Sequence, residues 1–365
     1  MGITRLEIDL NALTHNYNYL KRRLHPDVAL MAVVKAYGYG SDSTVIASHL
    51  QELGVTYFAV AYAPEGVALR KAGITQPILV LHPQADNFNL ILEHCLEPSL
   101  YSARIFEAFN AFAKAKQQKH YPVHLKFNTG LNRLGFCETD AVWIINELQK
   151  TDTVHIKSMF SHLAASEDMD EATFTLQQIA TFKRIAQRMS KDLGYQPLLH
   201  QSNTSAILNY PDAHMNIVRA GIGLYGYSND ATIDKALKPV ATLKTTISQI
   251  HKIEPQESVG YNRGYIAKGY EKTATLPIGH ADGISRALGN EVGYVLINDQ
   301  KAPIIGNVCM DMMMINISHI DCKEGDEVIV FGQNASAVSL TKQIHSITYE
   351  LLTAVSQRVK RVFLR

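Results

Sequence analysis

Residues 28–40 read VALMAVVKAYGYG. A run of branched and apolar residues ends in a lone lysine, Lys35, and two Tyr-Gly pairs follow at once. An unpaired ammonium is costly in an apolar place, so a lysine closing a buried strand needs a partner or a task. Seven more short runs follow: 57–61 (YFAVA), 77–81 (PILVL), 96–100 (LEPSL), 123–128 (VHLKFN), 156–162 (IKSMFSH), 197–203 (PLLHQSN) and 215–221 (MNIVRAG). Helix-like stretches lie between most of them. Residues 102–116 put Ile105, Phe106, Phe109 and Phe112 on one face behind a serine N-cap, and 171–193 has the same character. Strands alternating with helices imply βαβ units, and eight such units point to a closed (β/α)8 barrel. An open doubly wound sheet is the alternative. No G-x-G-x-x-G follows an early strand, which counts against its dinucleotide-binding form.

After about residue 232 the texture changes to short β-like runs, such as TATLPIG and DEVIVFG, set between Gly, Pro, Asn and Asp clusters. The expected organisation is an α/β barrel over 1–231 and a mostly β domain over 232–365. The stretch YGYSNDATIDKALKP would join them.

Composition narrows the function classes. Of 365 residues, 46% are hydrophobic and 19% charged, enough to bury a full core. The formal net charge is +1 without a long basic run, which argues against nucleic acid as a partner. No apolar segment reaches the roughly 18 residues a membrane helix requires. The opening MGITRLEIDL has no apolar signal core, and Gly2 stands outside a myristoylation pattern because residue 6 is Leu. The cysteines, Cys95, Cys137, Cys309 and Cys322, form no close pair, which fits a reducing cytoplasm. Cys309 reads as a small buried hydrophobe rather than a reactive thiol.

In a barrel enzyme the active site lies at the C-terminal ends of the strands. The polar residues that end or interrupt these runs are therefore the candidates: Lys35, Lys126, His162, His200, Asn203 and Arg219. Asn203-Thr204-Ser205 after the seventh run and AGIG (220–223) after the eighth stand where backbone N–H groups commonly hold a phosphate. A lysine on the first strand can form a Schiff base with a phosphate-bearing aldehyde, and pyridoxal phosphate is the obvious one.

With these motifs in view, the sequence resembles the alanine racemase family of pyridoxal-phosphate-dependent barrel enzymes. The matching stretches are AVVKAYGYG (32–40), HLKFNTGLNRLGF (124–136), FSHLAASED (160–168), HQSNTSA (200–206), VRAGIGLYG (218–226), VGYNRGY (259–265), LPIGHADG (276–283), GNVCMDMMM (306–314) and ITYELL (347–352). They cover nearly the whole chain in family order.

The resemblance implies a two-base interconversion of L- and D-alanine, supplying D-alanine for bacterial peptidoglycan. It implies Lys35 as the Schiff-base lysine and one catalytic base, and Tyr265 as the second base. It places Tyr39, Asn203, Thr204, Gly221, Ile222 and Tyr349 around the phosphate. Arg219 would face the pyridine nitrogen with His200 behind it, and His162 would lie beside the ring. Arg133 and backbone at Met310 would meet the substrate carboxylate, and Lys126 matches a position often carbamylated to brace Arg133. It further implies a head-to-tail homodimer in which the Tyr265 and Met310 loops of one subunit cover the barrel mouth of the other. Tyr265 is a phenol of pKa near 10 and needs nearby positive charge to ionise, with His162 and Arg219 as candidates.

Departures from the family pattern are Tyr37, Ser41, Asn128, Thr204 and His280. None removes a proposed catalytic group. Within the same chemistry the substrate could be serine or a larger amino acid. The rival readings are a barrel-fold decarboxylase, expected to carry a carboxylate where Arg219 stands, and a regulatory protein that only binds the cofactor.

Overall fold

The structure is a computed structural model describing residues 4–228 and 230–365. Met1–Ile3, with Gly2, and Asn229 of the expected linker lie outside the described residues. The chain divides into two compact units. One comprises residues 14–38 and 43–237, the other 1–13, 39–42 and 238–365.

The first unit is the barrel. To number the strands in chain order, β1 is Arg5–Asp9 and belongs to the second unit. The barrel strands are β2 (Ala29–Val33), β3 (Tyr57–Val60), β4 (Ile78–Val80), β5 (Glu97–Leu100), β6 (Tyr121–Lys126), β7 (Val154–Phe160), β8 (Leu198–His200) and β9 (Ile217–Ala220). All eight expected runs are strands. They pair in parallel in the order β8-β7-β6-β5-β4-β3-β2-β9. Between β8 and β9 the ring is drawn together by single hydrogen bonds. Asn216 N–H donates to Leu199 O at 3.1 Å, and Arg219 N–H to Ser202 O at 2.9 Å. β2 to β5 are buried along almost their whole length, as helix-covered parallel strands must be. Helix Ala103–Ala115 is capped by Ser102, whose hydroxyl accepts from Ile105 N–H, and buries Ile105, Phe106 and Phe109. Helix Ala172–Leu193 ends at Gly194 in the left-handed region.

The second unit is built on a nine-stranded sheet. Its strands are β1, β10 (Ala241–Thr246), β11 (Gln249–Ile253), β14 (Glu271–Leu276), β15 (Tyr294–Ile297), β16 (Gln300–Ile305), β17 (Met313–Asn316), β18 (Glu327–Phe331) and β19 (Lys360–Leu364). A separate hairpin joins β12 (Ser258–Val259) to β13 (Tyr265–Ile266).

Here the expected boundaries need correction. Residues 4–13 are not part of the barrel. β1 pairs antiparallel with β10 and parallel with β19, inside the β-rich unit. The physical reason is visible in RLEID, which alternates half-buried and buried, with Leu6 and Ile8 turned inward. That is the pattern of a sheet with one covered face, unlike the continuous burial of the barrel strands. At the other end the barrel unit extends to Leu237, past residue 231. The expected linker carries a helical turn, Ala231–Asp234, capped by the Asp230 carboxylate.

Candidate active site

The end of β2 sets the geometry. After Lys35 the backbone enters the left-handed region and stays there, with φ of 53° at Ala36, 55° at Tyr37, 63° at Gly38, 51° at Tyr39 and 82° at Gly40. For L-residues this conformation costs about 1–2 kcal/mol each. Two bonds help to hold the turn. Gly38 N–H donates to Val34 O at 3.0 Å, and Ala36 N–H donates to Glu65 Oε1 at 2.7 Å. The other oxygen of Glu65 accepts from Ala61 and Tyr62 N–H, so one carboxylate ties the ends of β2 and β3 together. At Gly40 a Cβ would lie 2.2 Å from Leu352 O, so only glycine fits there.

Lys35 is half-buried, and its amine is pushed below its ordinary pKa by burial and by the charges of Arg133 and Arg219, with Glu65 opposing them. Lys126 closes β6 under the same pressure and is pushed down to about 8 by burial, Arg133, Arg219 and Lys35. No carboxylate among the described residues contributes to it. Arg133 lies in the loop after β6, close enough to both lysines to act on them. Asn128 organises that loop instead of holding Arg133. Its side chain accepts from Gly130 and Asn132 N–H and donates to Asn132 Oδ1.

Arg219 on β9 is buried at 4% exposure, and its bonds are countable. Nη1 donates to His200 Nδ1 at 2.7 Å and His200 O at 3.2 Å. Nη2 faces Ser161 O at 2.8 Å, Gln201 O at 2.9 Å and His162 Nδ1 at 3.1 Å. The four terminal hydrogens are thus engaged, and the Nε–H is left without an acceptor among the described residues. Burial lowers the guanidinium's pKa to about 9, leaving it charged at neutral pH. Burial, then Arg219, Arg133, Lys126 and Lys35 together hold His162 well below its ordinary pKa. His162 is therefore neutral, and of the two groups expected to bring positive charge only Arg219 carries one.

Two short helices start at the ends of β8 and β9. Asn203 caps helix Thr204–Asn209 by accepting from Ala206 N–H at 2.9 Å, and Gly221 precedes the turn Ile222–Tyr225. The first N–H groups of such helices have no acceptor within the helix. Thr204 Oγ1 accepts from Gly221 N–H at 3.1 Å and Gly223 N–H at 3.3 Å, fixing one helix start against the other. At Gly223 a Cβ would come within 2.6 Å of the Thr204 side chain.

In the β-rich unit, Tyr39 and Tyr349 face each other with ring centroids 5.9 Å apart. Tyr265 begins β13. Its hydroxyl donates to Glu271 Oε2 at 2.7 Å and accepts from Asn316 Nδ2 at 3.5 Å. Burial and the bond to Glu271 push this phenol up to about 12. Met310 is exposed, and its carbonyl accepts from Ala281 N–H at 3.0 Å. Cys309, expected to be buried, is half-buried, its thiol 3.5 Å from Asn307 O. His280 N–H donates to Cys309 O, and at Gly279 a Cβ would lie 2.4 Å from Cys309 O.

A family model described as "Alanine racemase, N-terminal domain" matches residues 8–229, and one described as "Alanine racemase, C-terminal domain" matches 240–363. The chain belongs to the alanine racemase family. It is 36% identical to an alanine racemase of Halothermothrix orenii, over 99% of this chain and 96% of that protein. Among solved structures it is similar to the alanine racemase of Clostridium difficile 630, with TM-score 0.93, 34% identity, and coverage of 100% of this chain and 96% of that one. It is also similar to the alanine racemase of Bartonella henselae with covalently bound pyridoxal phosphate, with TM-score 0.90, 27% identity and full coverage of both chains.

For an alanine racemase family member, the sequence reading missed Glu65, Glu97 and Glu271. Glu271 is bonded to Tyr265 and Glu65 to the chain beside Lys35, while Glu97 reaches His200 through His124 and Ser158. A carboxylate inside the apolar run LEPSL was a signal for Glu97; the other two gave none.

Proposed function

We propose that this protein interconverts L- and D-alanine with pyridoxal phosphate as cofactor. The observation that carries the reading is Arg219: a buried guanidinium with its terminal hydrogens consumed by the protein and one Nε–H left to give. That donor suits an unprotonated ring nitrogen. The helix starts at Thr204 and Ile222 suit a phosphate, and the lowered amine of Lys35 suits attachment to an aldehyde. The residues present therefore fit the group. Lys35 would hold it covalently, with Arg219 at its nitrogen, His200 behind Arg219, His162 beside the ring, and Asn203, Thr204, Gly221, Ile222, Tyr39 and Tyr349 about its phosphate. Bound there, it supplies an electron sink that acidifies the Cα–H of an attached amino acid.

Arg219 keeps its own proton, so it leaves the ring nitrogen unprotonated and limits that sink. This favours quick return of a proton over side reactions. Racemisation needs a proton group on each face of the substrate carbon. Lys35 serves one face, its depressed pKa keeping more of the amine neutral. Tyr265 serves the other. Held as a phenol by Glu271, it is ready to give a proton when Lys35 takes one. In the reverse direction it must first ionise, which Glu271 opposes and a nearby cation would assist. Arg133 and backbone at Met310 would meet the substrate carboxylate.

Tyr261 and Tyr270, 75% and 82% exposed, and the exposed Met310 and Met312 put large apolar side chains on the surface of the β-rich unit. That surface supports a homodimer in which Tyr265 reaches the partner's barrel. The unpaired cysteines and the absence, among the described residues, of a helix able to cross a membrane fit a cytoplasmic bacterial enzyme supplying D-alanine to the cell wall. The test is incubation of purified protein and cofactor with L-alanine in D2O. Optical rotation should vanish while deuterium enters the α position. Release of carbon dioxide, or retention of the α-hydrogen, would overturn the reading.

Lys126 yields a separate expectation. Only a neutral amine adds carbon dioxide, and a pKa near 8 leaves an appreciable neutral fraction at neutral pH. The resulting carbamate would supply the anion that Arg133 lacks from Asn128. With 13C-bicarbonate near pH 8 the protein should show one carbamate carbon resonance, absent in Lys126→Arg and fading as the pH falls and the amine protonates. A wild-type spectrum without that resonance would remove the carbamate.

A further inference from the structure

Below Arg219 the barrel interior holds a line of polar side chains that the proposed mechanism leaves unused beyond its first member. His200 Nε2 lies 2.9 Å from Ser158 Oγ. Ser158 Oγ lies 2.5 Å from His124 Nδ1, and His124 Nε2 lies 2.9 Å from Glu97 Oε2. His200, Ser158 and His124 are completely buried, and Glu97 is 5% exposed. Glu97 opens β5, at the end of the strand remote from the barrel mouth. The groups facing it are Tyr57 from β3, whose hydroxyl donates to Oε2, His124 from β6, and Lys157 from β7, whose Nζ donates to Oε1 at 3.0 Å.

The direction of every bond in this line follows from its two ends. A guanidinium only donates, so His200 Nδ1 must accept and carry no proton. A neutral imidazole then bears its hydrogen on Nε2 and donates to Ser158. Ser158, having accepted, has its own hydroxyl hydrogen to give to His124 Nδ1. That leaves the proton of His124 on Nε2, where Glu97, an acceptor only, receives it. All four bonds point from Arg219 to Glu97, and aligned bonds of this kind polarise one another. Arg219, buried and charged, has no carboxylate within ion-pair distance among the described residues. Burial alone would raise Glu97, but His124 and Lys157 more than offset it and keep the carboxylate ionised.

We propose that Glu97 is the remote counter-charge of Arg219, fixing the tautomer of His124 and, through Ser158 and His200, the orientation of the guanidinium. It is a positioning residue. The consequence for racemisation rests on the reading of Arg219 given above; the tautomer claim does not.

The test uses 15N-histidine-labelled holoenzyme, in which long-range 1H–15N spectra distinguish protonated from bare ring nitrogens. Wild type should show Nε2–H and bare Nδ1 at both His124 and His200. In Glu97→Gln the amide can turn its NH2 toward His124, so the His124 tautomer should switch or mix, and the His200 nitrogens should shift. In a Ser158→Ala background the same Glu97→Gln change should leave His200 unmoved, because the line is cut. Kinetically, each single variant should lose about tenfold in kcat, the size of one hydrogen bond to a charged group, with little change in KM. The double variant should be no slower than either. Restoring the hydroxyl with Ser158→Thr should recover part of the loss. Histidine spectra unchanged by Glu97→Gln, or losses in kcat that multiply, would overturn the proposal. Should Glu97→Gln fail to fold, loss of the Nε2–H tautomer of His124 in Ser158→Ala, where Glu97 is still there to accept from it, would do the same. The spectra decide the relay even if the protein proves to act on another substrate.

Discussion

Lys35→Ala should abolish racemisation and covalent cofactor attachment together. The amine is asked to do two things: to hold the cofactor through Nζ, and to exchange the substrate proton on one face. A positioned general base alone is worth about 10²–10⁴-fold, so losing both tasks should cost at least the upper end of that range. Attachment has its own readout. Borohydride should fix the cofactor to the peptide carrying Lys35 in wild type and to no lysine in Lys35→Ala. Recovery of the label on Lys126, which is buried and likewise of lowered pKa, would move the assignment there. Tyr265→Ala gives the contrast. It should keep the borohydride label and lose interconversion. It should still exchange the α-hydrogen of the one enantiomer whose proton faces Lys35. Exchange with both enantiomers in Tyr265→Ala would mean that a single base serves both faces.

The parts of this site legible in the sequence are those where one residue breaks a local pattern. Lys35 ends an apolar run, Arg219 interrupts one, and the glycines after β9 stand where a helix must start close to a ligand. β2, β3 and β4 were legible because burial on both faces writes a continuous apolar stretch, and the other barrel strands through their alternation with helix-like segments. β1 was not, because its alternation is only five residues long and its partners β10 and β19 lie at the far end of the chain. The relay to Glu97 was out of reach for a related reason. Glu97, His124, Ser158 and His200 come from four different strands, and only barrel closure sets them in line. The left-handed turn was half legible: the glycines of AYGYG signal it, but Ala36 and Tyr37 adopt it without being glycine. The environment of Tyr265 could not be foreseen, because Glu271 raises a phenol that the mechanism asks to ionise.

That environment sharpens the expectation for assembly. Taken within its own unit, Tyr265 is bonded to a carboxylate and, among the described residues, has no cation to lower its pKa. A base in that state is nearly idle at neutral pH, so Tyr265 should work only where a second barrel brings positive charge to it, and an intact protomer alone should be inactive. Mixing two dead chains provides the test. Lys35→Ala and Tyr265→Ala homodimers should each lose at least about 10²-fold in interconversion, the lower figure for removal of one positioned base. In a mixed dimer with shared sites, one site lacks both bases and the other has Lys35 from one chain and Tyr265 from its partner. Random exchange of equal amounts places half of the chains in such dimers by symmetry of pairing, each with one working site of two, so about a quarter of wild-type activity should return. The recovery should follow the rate of subunit exchange, measured independently with tagged chains. If exchange is demonstrated and activity stays at the level of the two parents, Lys35 and Tyr265 act within one chain, and the carboxylate of Glu271 must then be displaced from the phenol by a movement inside that chain.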